Sequence, residues 1–182
     1  MGTQTLWTIG HSNRTLEQFL ELLHSQHIQL LADVRRFPGS RRLPHFGQEN
    51  LSKSLADAGI EYIHFPELGG RRKGLANSPN TAWRNEAFRA YADFMMTDEF
   101  HAGIDRLLKV ARQKRTAIMC AEALWWRCHR SLIADYLKAT GHKVMHIMAA
   151  NKTEEHPFTS AARLVNGKLS YAAGSEQLYF TN

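Results

Sequence analysis

Cysteine is scarce in this chain. The two present, Cys120 and Cys128, are too few for a disulfide framework and suit a reduced, cytoplasmic protein. Long apolar runs are missing as well: none approaches the roughly 20 residues that span a bilayer, so no membrane partner is expected. The start, Met1-Gly2-Thr3 running into Leu6-Trp7, has no basic region and no small-residue cleavage site, and a secretory signal is not expected. Leu6 also occupies the position at which N-myristoylation needs Ser or Thr. There is no internal repeat, low-complexity tract or linker, so one domain over residues 1–182 is the expectation, with a core at about 5–148 and an accessory segment at 149–182. A chain of this length can bury about 70% of its unfolded surface and needs no metal or disulfide staple.

What the chain does have is positive charge. Lys and Arg number 23 against 17 Asp and Glu, a net charge of +6, which favours anionic partners such as a phosphate-bearing small molecule, a nucleotide or a nucleic acid. The excess is concentrated: Arg35, Arg36, Arg41, Arg42 and His45 lie close together, and Arg71, Arg72 and Lys73 follow Gly69-Gly70. Arginine dominates both clusters, and its planar fork matches phosphate and carboxylate oxygens. The competing reading of either cluster is a solvated basic loop.

Hydrophobic periodicity alternates between strand and helix. A β-branched and aromatic run over Thr5–Ile9 precedes an amphipathic stretch over Leu16–His27, where Thr15 and Gln18 form a capping box. Ile28–Val34 reads as a buried strand, and Gln48–Ala58 as a helix closed by Gly59. Ile60–Phe65 is a third strand, Trp83–Arg112 a helical region broken near Thr97-Asp98, and Thr116–Cys120 a fourth strand. Ser131–Thr140 is helical and stopped by Gly141, Lys143–Met148 is a fifth strand, and Asn166-Gly167 marks a hairpin. This order predicts an α/β fold: a three-layer α/β/α architecture with a mainly parallel sheet of about five strands, plus a small C-terminal hairpin.

In such sheets ligands bind beyond the carboxyl ends of the strands. His11 and Ser12 follow the first expected strand, Asp33 and Arg35 end the second, and His64 ends the third. Cys120 and Glu122 follow the fourth, with Cys128, His129 and Arg130 entering the next helix, and His146 lies on the fifth. Each has a structural alternative. Cys120 can be a small apolar filler, Asp33 a partner for Arg35, and His64 or His146 a hydrogen-bonded interior residue. Glu122 is singled out because a carboxylate directly after a buried strand needs a partner or a task.

The segment Cys120–Arg130 joins a strand to a helix N-terminus, where backbone N–H groups and the helix dipole favour an anion and lower a thiol pKa. Cys120 or Cys128 is therefore a candidate nucleophile. The segment is comparable with the phosphate loops of cysteine phosphatases and rhodanese-like sulfurtransferases, yet Cys120 and Arg127 are one residue too far apart. Trp125 and Trp126 also stand where such loops carry small residues. His11, Cys120, Glu122, Cys128, His129 and His146 are of metal-ligating types, but none of the usual ligand spacings occurs; no metal site is assigned and the motifs specify no cofactor. Phe37, Phe46, Phe65, Trp125 and Trp126 near basic loops can stack on bases.

Several stretches in order resemble the DUF488 family of small, mostly bacterial proteins. They are Thr8-Ile9-Gly10-His11-Ser12, Asp33-Val34-Arg35 with Phe37-Pro38 and Ser40-Arg41, Gly59-Ile60 with Tyr62 and His64, Leu68-Gly69-Gly70-Arg71, Cys120-Ala121-Glu122, Cys128-His129-Arg130, and Val144 with His146-Ile147. His156-Pro157-Phe158-Thr159 is similar to a further family feature. The resemblance supports this motif set and implies no particular reaction.

The expected function is an enzyme, a hydrolase or group transferase, acting on an anionic, phosphate-bearing substrate. Glu122 and His129 are its acid–base candidates, Cys120 or Cys128 its nucleophile and His11 an orienting group or second base. Ser12, Asp33, Arg35, Ser40, Arg41, His64, Arg71, Arg130 and His146 are the candidate substrate-binding residues. The alternative is a nucleic-acid-binding module without catalysis, using the same arginines and aromatics.

Overall fold

Local signals set the element boundaries in the computed structural model, which describes residues 2–174; Met1 and 175–182 lie outside the described residues. Strand β1 (Thr5–Gly10) leads into α1 (Leu16–Ser25), whose Thr15 cap and Gln18 side chain satisfy each other's backbone N–H groups. Then come β2 (Leu30–Asp33), α2 (Gln48–Asp57) and β3 (Glu61–His64). Gly59 closes α2 with φ +74°, in the left-handed region. The long helical region divides where expected, into α3 (Glu86–Phe94) and α4 (Asp98–Ala111), because Thr97 caps the second helix by accepting from the Phe100 N–H. β4 (Thr116–Cys120), α5 (Arg130–Ala139) and β5 (Lys143–Ala149) complete the parallel set.

The sheet has six strands in the order β3-β2-β4-β1-β5 followed by β6 (Lys152–Glu155). All neighbours pair in parallel except β5 and β6. Alternating strand residues feed two cores. Trp7, Ile9, Leu31, Ala117 and Met119 pack with α1 and α2 on one face. Leu6, Leu30, Ala32, Ile118 and Cys120 pack with α3, α4 and α5 on the other. The sheet is thus covered on both sides, the arrangement parallel strands require.

The fold is α/β as expected, with two refinements. β6 was not foreseen, because Lys152-Thr153-Glu154-Glu155 carries no apolar alternation; as an antiparallel edge strand it has little core to face. The hairpin at Asn166-Gly167 forms from β7 (Arg163–Val165) and β8 (Lys168–Ser170) as a separate two-stranded sheet.

Past its last paired residue β1 stays locked to β4: the His11 N–H donates to the Cys120 carbonyl at 3.0 Å and the Ser12 N–H to the Ala121 carbonyl at 2.8 Å. Gly10 allows this approach, since a Cβ there would lie 1.8 Å from the Glu122 carbonyl oxygen. Gly10→Ala should therefore cost roughly 3 kcal/mol of stability in a urea melt. Gly39→Ala, with nothing within 4 Å of the added carbon, should change it by less than about 0.5 kcal/mol.

Candidate functional site

An open cleft of about 590 Å³ lies beyond the carboxyl ends of β2 and β4. The chain leaves these neighbouring strands toward opposite faces of the sheet, β2 toward α2 and β4 toward α5, so the two loops diverge and leave a crevice. Arg35, Arg36 and Phe37 form one wall; Cys120, Ala121 and Glu122 with Arg127, Cys128 and His129 form the other. Gly70-Arg71 and the α3 residues Phe88 and Tyr91 close the end.

Both thiols are free and buried at the base of this cleft, gathered around Arg130. The guanidinium of Arg130, itself buried, donates from Nε to the Cys120 sulfur at 3.0 Å, while its backbone N–H points to the Cys128 sulfur at 3.5 Å. The remaining guanidinium donors reach the Thr8 hydroxyl at 3.1 Å and the Glu122 carbonyl at 2.5 Å. The two cysteines diverge electrostatically. For Cys120, burial followed by the neighbouring Cys128 pushes the thiol well up. For Cys128, burial pulls the same way but is outweighed by the hydrogen bond from Cys120, the Arg130 charge and the Arg130 N–H, and its pKa falls to about 7. Cys120 is thus the thiol that donates and Cys128 the one that ionises more readily, at the entrance to α5 where the helix dipole adds its share.

His129 stands beside that sulfur. Its Nε2–H donates to the Val34 carbonyl at 3.2 Å, which leaves Nδ1 as an acceptor 3.5 Å from the Cys128 sulfur. Burial, partly opposed by Cys120, lowers the imidazole pKa, so the ring is neutral. Tyr91 lies against it with ring centroids 5.0 Å apart. Gly70 covers it from the loop side, where a Cβ would come within 3.1 Å of Nδ1.

The walls are cationic. Arg36, Arg71 and Arg127 are exposed, line the cleft and make no salt bridge among the described residues, while Glu122 is the one acidic side chain lining it. Arg71 has a φ of +59°, a conformation that costs a non-glycine residue about 1 kcal/mol or more. Arg35 differs. Its guanidinium grips buried Asp33 at 2.9 and 2.6 Å, donates to the Phe46 carbonyl at 2.8 Å, and points a nitrogen at His11 Nε2 from 3.4 Å. Tyr62 donates to the same Asp33 carboxylate at 2.7 Å.

Of the residues expected from sequence, the structure brings Cys120, Glu122, Cys128, His129, Arg35 and Arg71 to this cleft, with Arg130 and Asp33 directly behind it. Glu122 is exposed, so the argument that singled it out as a buried carboxylate does not apply, although its side chain does line the cleft. His11 and Ser12 lie behind the wall. His11 donates from Nδ1 to the Ser12 carbonyl at 2.8 Å and stacks on Phe46, and burial lowers its pKa to about 4. His64 donates to the Arg35 carbonyl at 2.7 Å and props the β2 loop. Ser40 accepts from the Leu43 N–H within its own loop, and Arg41 is exposed outside the cleft. His146 lies outside the cleft, in a buried network on the α5 face; β4 and β1 stand between β2 and β5, so the end of β5 does not share the crevice. Sequence reasoning did not identify Phe88 and Tyr91, because aromatic residues on an amphipathic helix carry no sign that one edge faces a cleft. Among the described residues no cluster of three or more His, Cys, Asp or Glu side chains is arranged to hold a metal ion, and no helix is long and apolar enough to cross a membrane.

The split between the thiols is directly measurable. Alkylation of Cys128 by iodoacetamide should rise through a midpoint at about pH 7, as the fraction of thiolate rises with pH. Cys120 should stay unmodified until the protein unfolds. A midpoint for Cys128 near the ordinary thiol value of about 8.5 would contradict this electrostatic assignment.

Comparison with known proteins adds one match. No curated protein and no solved structure matches the chain. The model of a domain of unknown function, DUF488, matches residues 15–137, from the cap of α1 to the third turn of α5, and so takes in both arginine-bearing loops and the two cysteines. With more than half of its length matched, the chain belongs to the DUF488 family.

Proposed function

We propose that the cleft is the active site of an enzyme, a hydrolase or group transferase acting on an anionic, phosphate-bearing substrate, with Cys128 as its nucleophile. The observation that carries this reading is the position of the Cys128 sulfur: between His129 Nδ1 and the Arg130 N–H, at the base of a cleft walled by unpaired arginines. Arg36, Arg71 and Arg127 bind the anion, and their charges oppose that of the one acidic wall residue.

The sulfur of Cys128 attacks phosphorus; an S–P bond forms and the P–O bond to the leaving group breaks. The thiol proton passes to His129 Nδ1 and from there to the leaving oxygen. Water or a second acceptor then attacks the phosphocysteine, the S–P bond breaks, and the exposed Glu122 carboxylate takes the proton of the attacking hydroxyl. A pair of free thiols works in a reducing compartment, which supports a cytoplasmic location.

Cys128→Ser should lower turnover of a phosphate ester about 10³-fold or more while inorganic phosphate still binds. Arg71→Ala should weaken phosphate binding by about tenfold, read by calorimetry. Undiminished turnover by Cys128→Ser would remove the cysteine from the reaction.

A specific observation also favours the nucleic-acid reading. Phe37 is 68% exposed at the cleft wall and Trp126 is 47% exposed beside Arg127, so two aromatic faces are free to stack on bases next to the basic rim. If several phosphates are bound, affinity for a single-stranded oligonucleotide should fall steeply between low and moderate salt, and Phe37→Ala should weaken it; a shallow salt dependence would leave only a small-molecule site.

A further inference from the structure

Behind the thiols the Thr8 hydroxyl begins a buried chain of hydrogen bonds that the proposed reaction does not use. Thr8 Oγ1 lies 2.7 Å from His146 Nδ1, His146 Nε2 lies 2.9 Å from His156 Nδ1, and His156 Nε2 lies 3.0 Å from Asp135 Oδ1. All of these residues are at least 99% buried. At one end Arg130 Nη1 reaches Thr8 Oγ1 at 3.1 Å; at the other the Asp135 carboxylate also accepts from the Thr159 N–H, the Thr159 hydroxyl and the Tyr171 hydroxyl, at 2.9, 2.6 and 2.8 Å.

The two ends fix the direction. A guanidinium only donates, and an ionised carboxylate taking four hydrogen bonds only accepts. Arg130 therefore donates to Thr8, Thr8 to His146 Nδ1, His146 Nε2–H to His156 Nδ1, and His156 Nε2–H to Asp135. In the reverse order Thr8 Oγ1 would accept from both Arg130 and His146, and its own hydrogen would be left buried without an acceptor, at a cost of about 1–3 kcal/mol. Trp125 stacks on His146 at 4.4 Å and 5° and shields the ring pair from water. The chain thus joins a buried cation to a buried anion through two neutral rings held in one tautomer.

We infer that Thr8, His146, His156 and Asp135 form a positioning relay that orients the Arg130 guanidinium against the Cys120 sulfur, 3.0 Å from its Nε, and through that thiol pair keeps Cys128 reactive. The groups facing the two imidazoles are Arg130 and Asp135 from α5, Thr8 from β1, Trp125 from the turn before α5, and Lys138, whose Nζ donates to the His156 carbonyl at 2.7 Å. The inference rests on Cys128 being the reactive thiol, but the tautomers are set independently of that assignment.

Long-range 15N–1H correlation spectra of the whole protein at pH 7 should show both His146 and His156 protonated at Nε2 only. An Nδ1–H tautomer for either ring would overturn the relay, whatever the cysteine does. Thr8→Val, close in shape but without the hydroxyl, should lower the rate of Cys128 alkylation at pH 7 about threefold or more by shifting its pH profile upward. Thr8→Ser, which keeps the oxygen, should restore the native profile. If a folded Thr8→Val protein alkylates with the native profile, the relay does not reach the thiol. An ordinary Cys128 profile in the native protein would instead defeat the nucleophile reading while leaving the tautomers to be judged by the spectra.

Discussion

One buried cation organises this molecule. Arg130 is 1% exposed, and removing a guanidinium from water costs several kcal/mol unless each donor finds a partner. Here the partners come from separate parts of the chain: the Cys120 sulfur at the end of β4, the Thr8 hydroxyl on β1, and the Glu122 and Ala123 carbonyls in the loop from β4 to α5. Satisfying Arg130 therefore pins the strand ends, the β4–α5 loop and the first turn of α5 to one another. The sheet places these elements near each other; the guanidinium fixes the distances among them.

A second pair repeats the arrangement on the other wall. Arg35 and Asp33 are both buried and held in a fork geometry, with Tyr62 and the Phe46 carbonyl taking up the remaining valences. Such a pair adds little net stability compared with apolar packing, yet losing one partner would strand a buried charge. Its effect is to hold the β2 loop rigid, so that Arg36 and Phe37 project into the cleft from a fixed base. Arginines in this chain thus divide by burial: the paired ones build walls, and the exposed ones on those walls remain available for an anion.

This division explains what could be read from the sequence. Strand and helix alternation is written in local periodicity and caps, and Thr15, Gly59, Thr97 and Gly141 mark boundaries that the structure keeps. The clustering of Arg35, Cys120, Glu122, Cys128 and His129 followed from topology alone, because parallel strands deliver their ends to one edge. The pairing of Asp33 with Arg35 was among the readings the sequence offered, and the structure makes it; the burial of Arg130 was not legible, because its partners are a thiol, a hydroxyl and backbone carbonyls and no carboxylate near it in sequence points to them. Of the two readings offered for His146, a site residue or a hydrogen-bonded interior one, its position in the structure is interior; its partners, His156 and Asp135, lie in elements whose spacing in the sequence gives no sign of contact.

The arrangement around the cysteines also accounts for the bulky residues in the β4–α5 loop. A phosphate cradle made of backbone N–H groups needs small side chains so that the chain can wrap the anion. Here Trp125 is buried against His146 and His156, where it seals the polar network from solvent rather than approaching a ligand. In the proposed function, anion binding falls to side chains projecting from three loops, Arg36, Arg71 and Arg127, instead of to one loop backbone. On that proposal, charge on long, exposed side chains can follow substrates of different shape, whereas the thiol, its histidine and the arginine behind them are held by buried hydrogen bonds and stay where the sheet puts them.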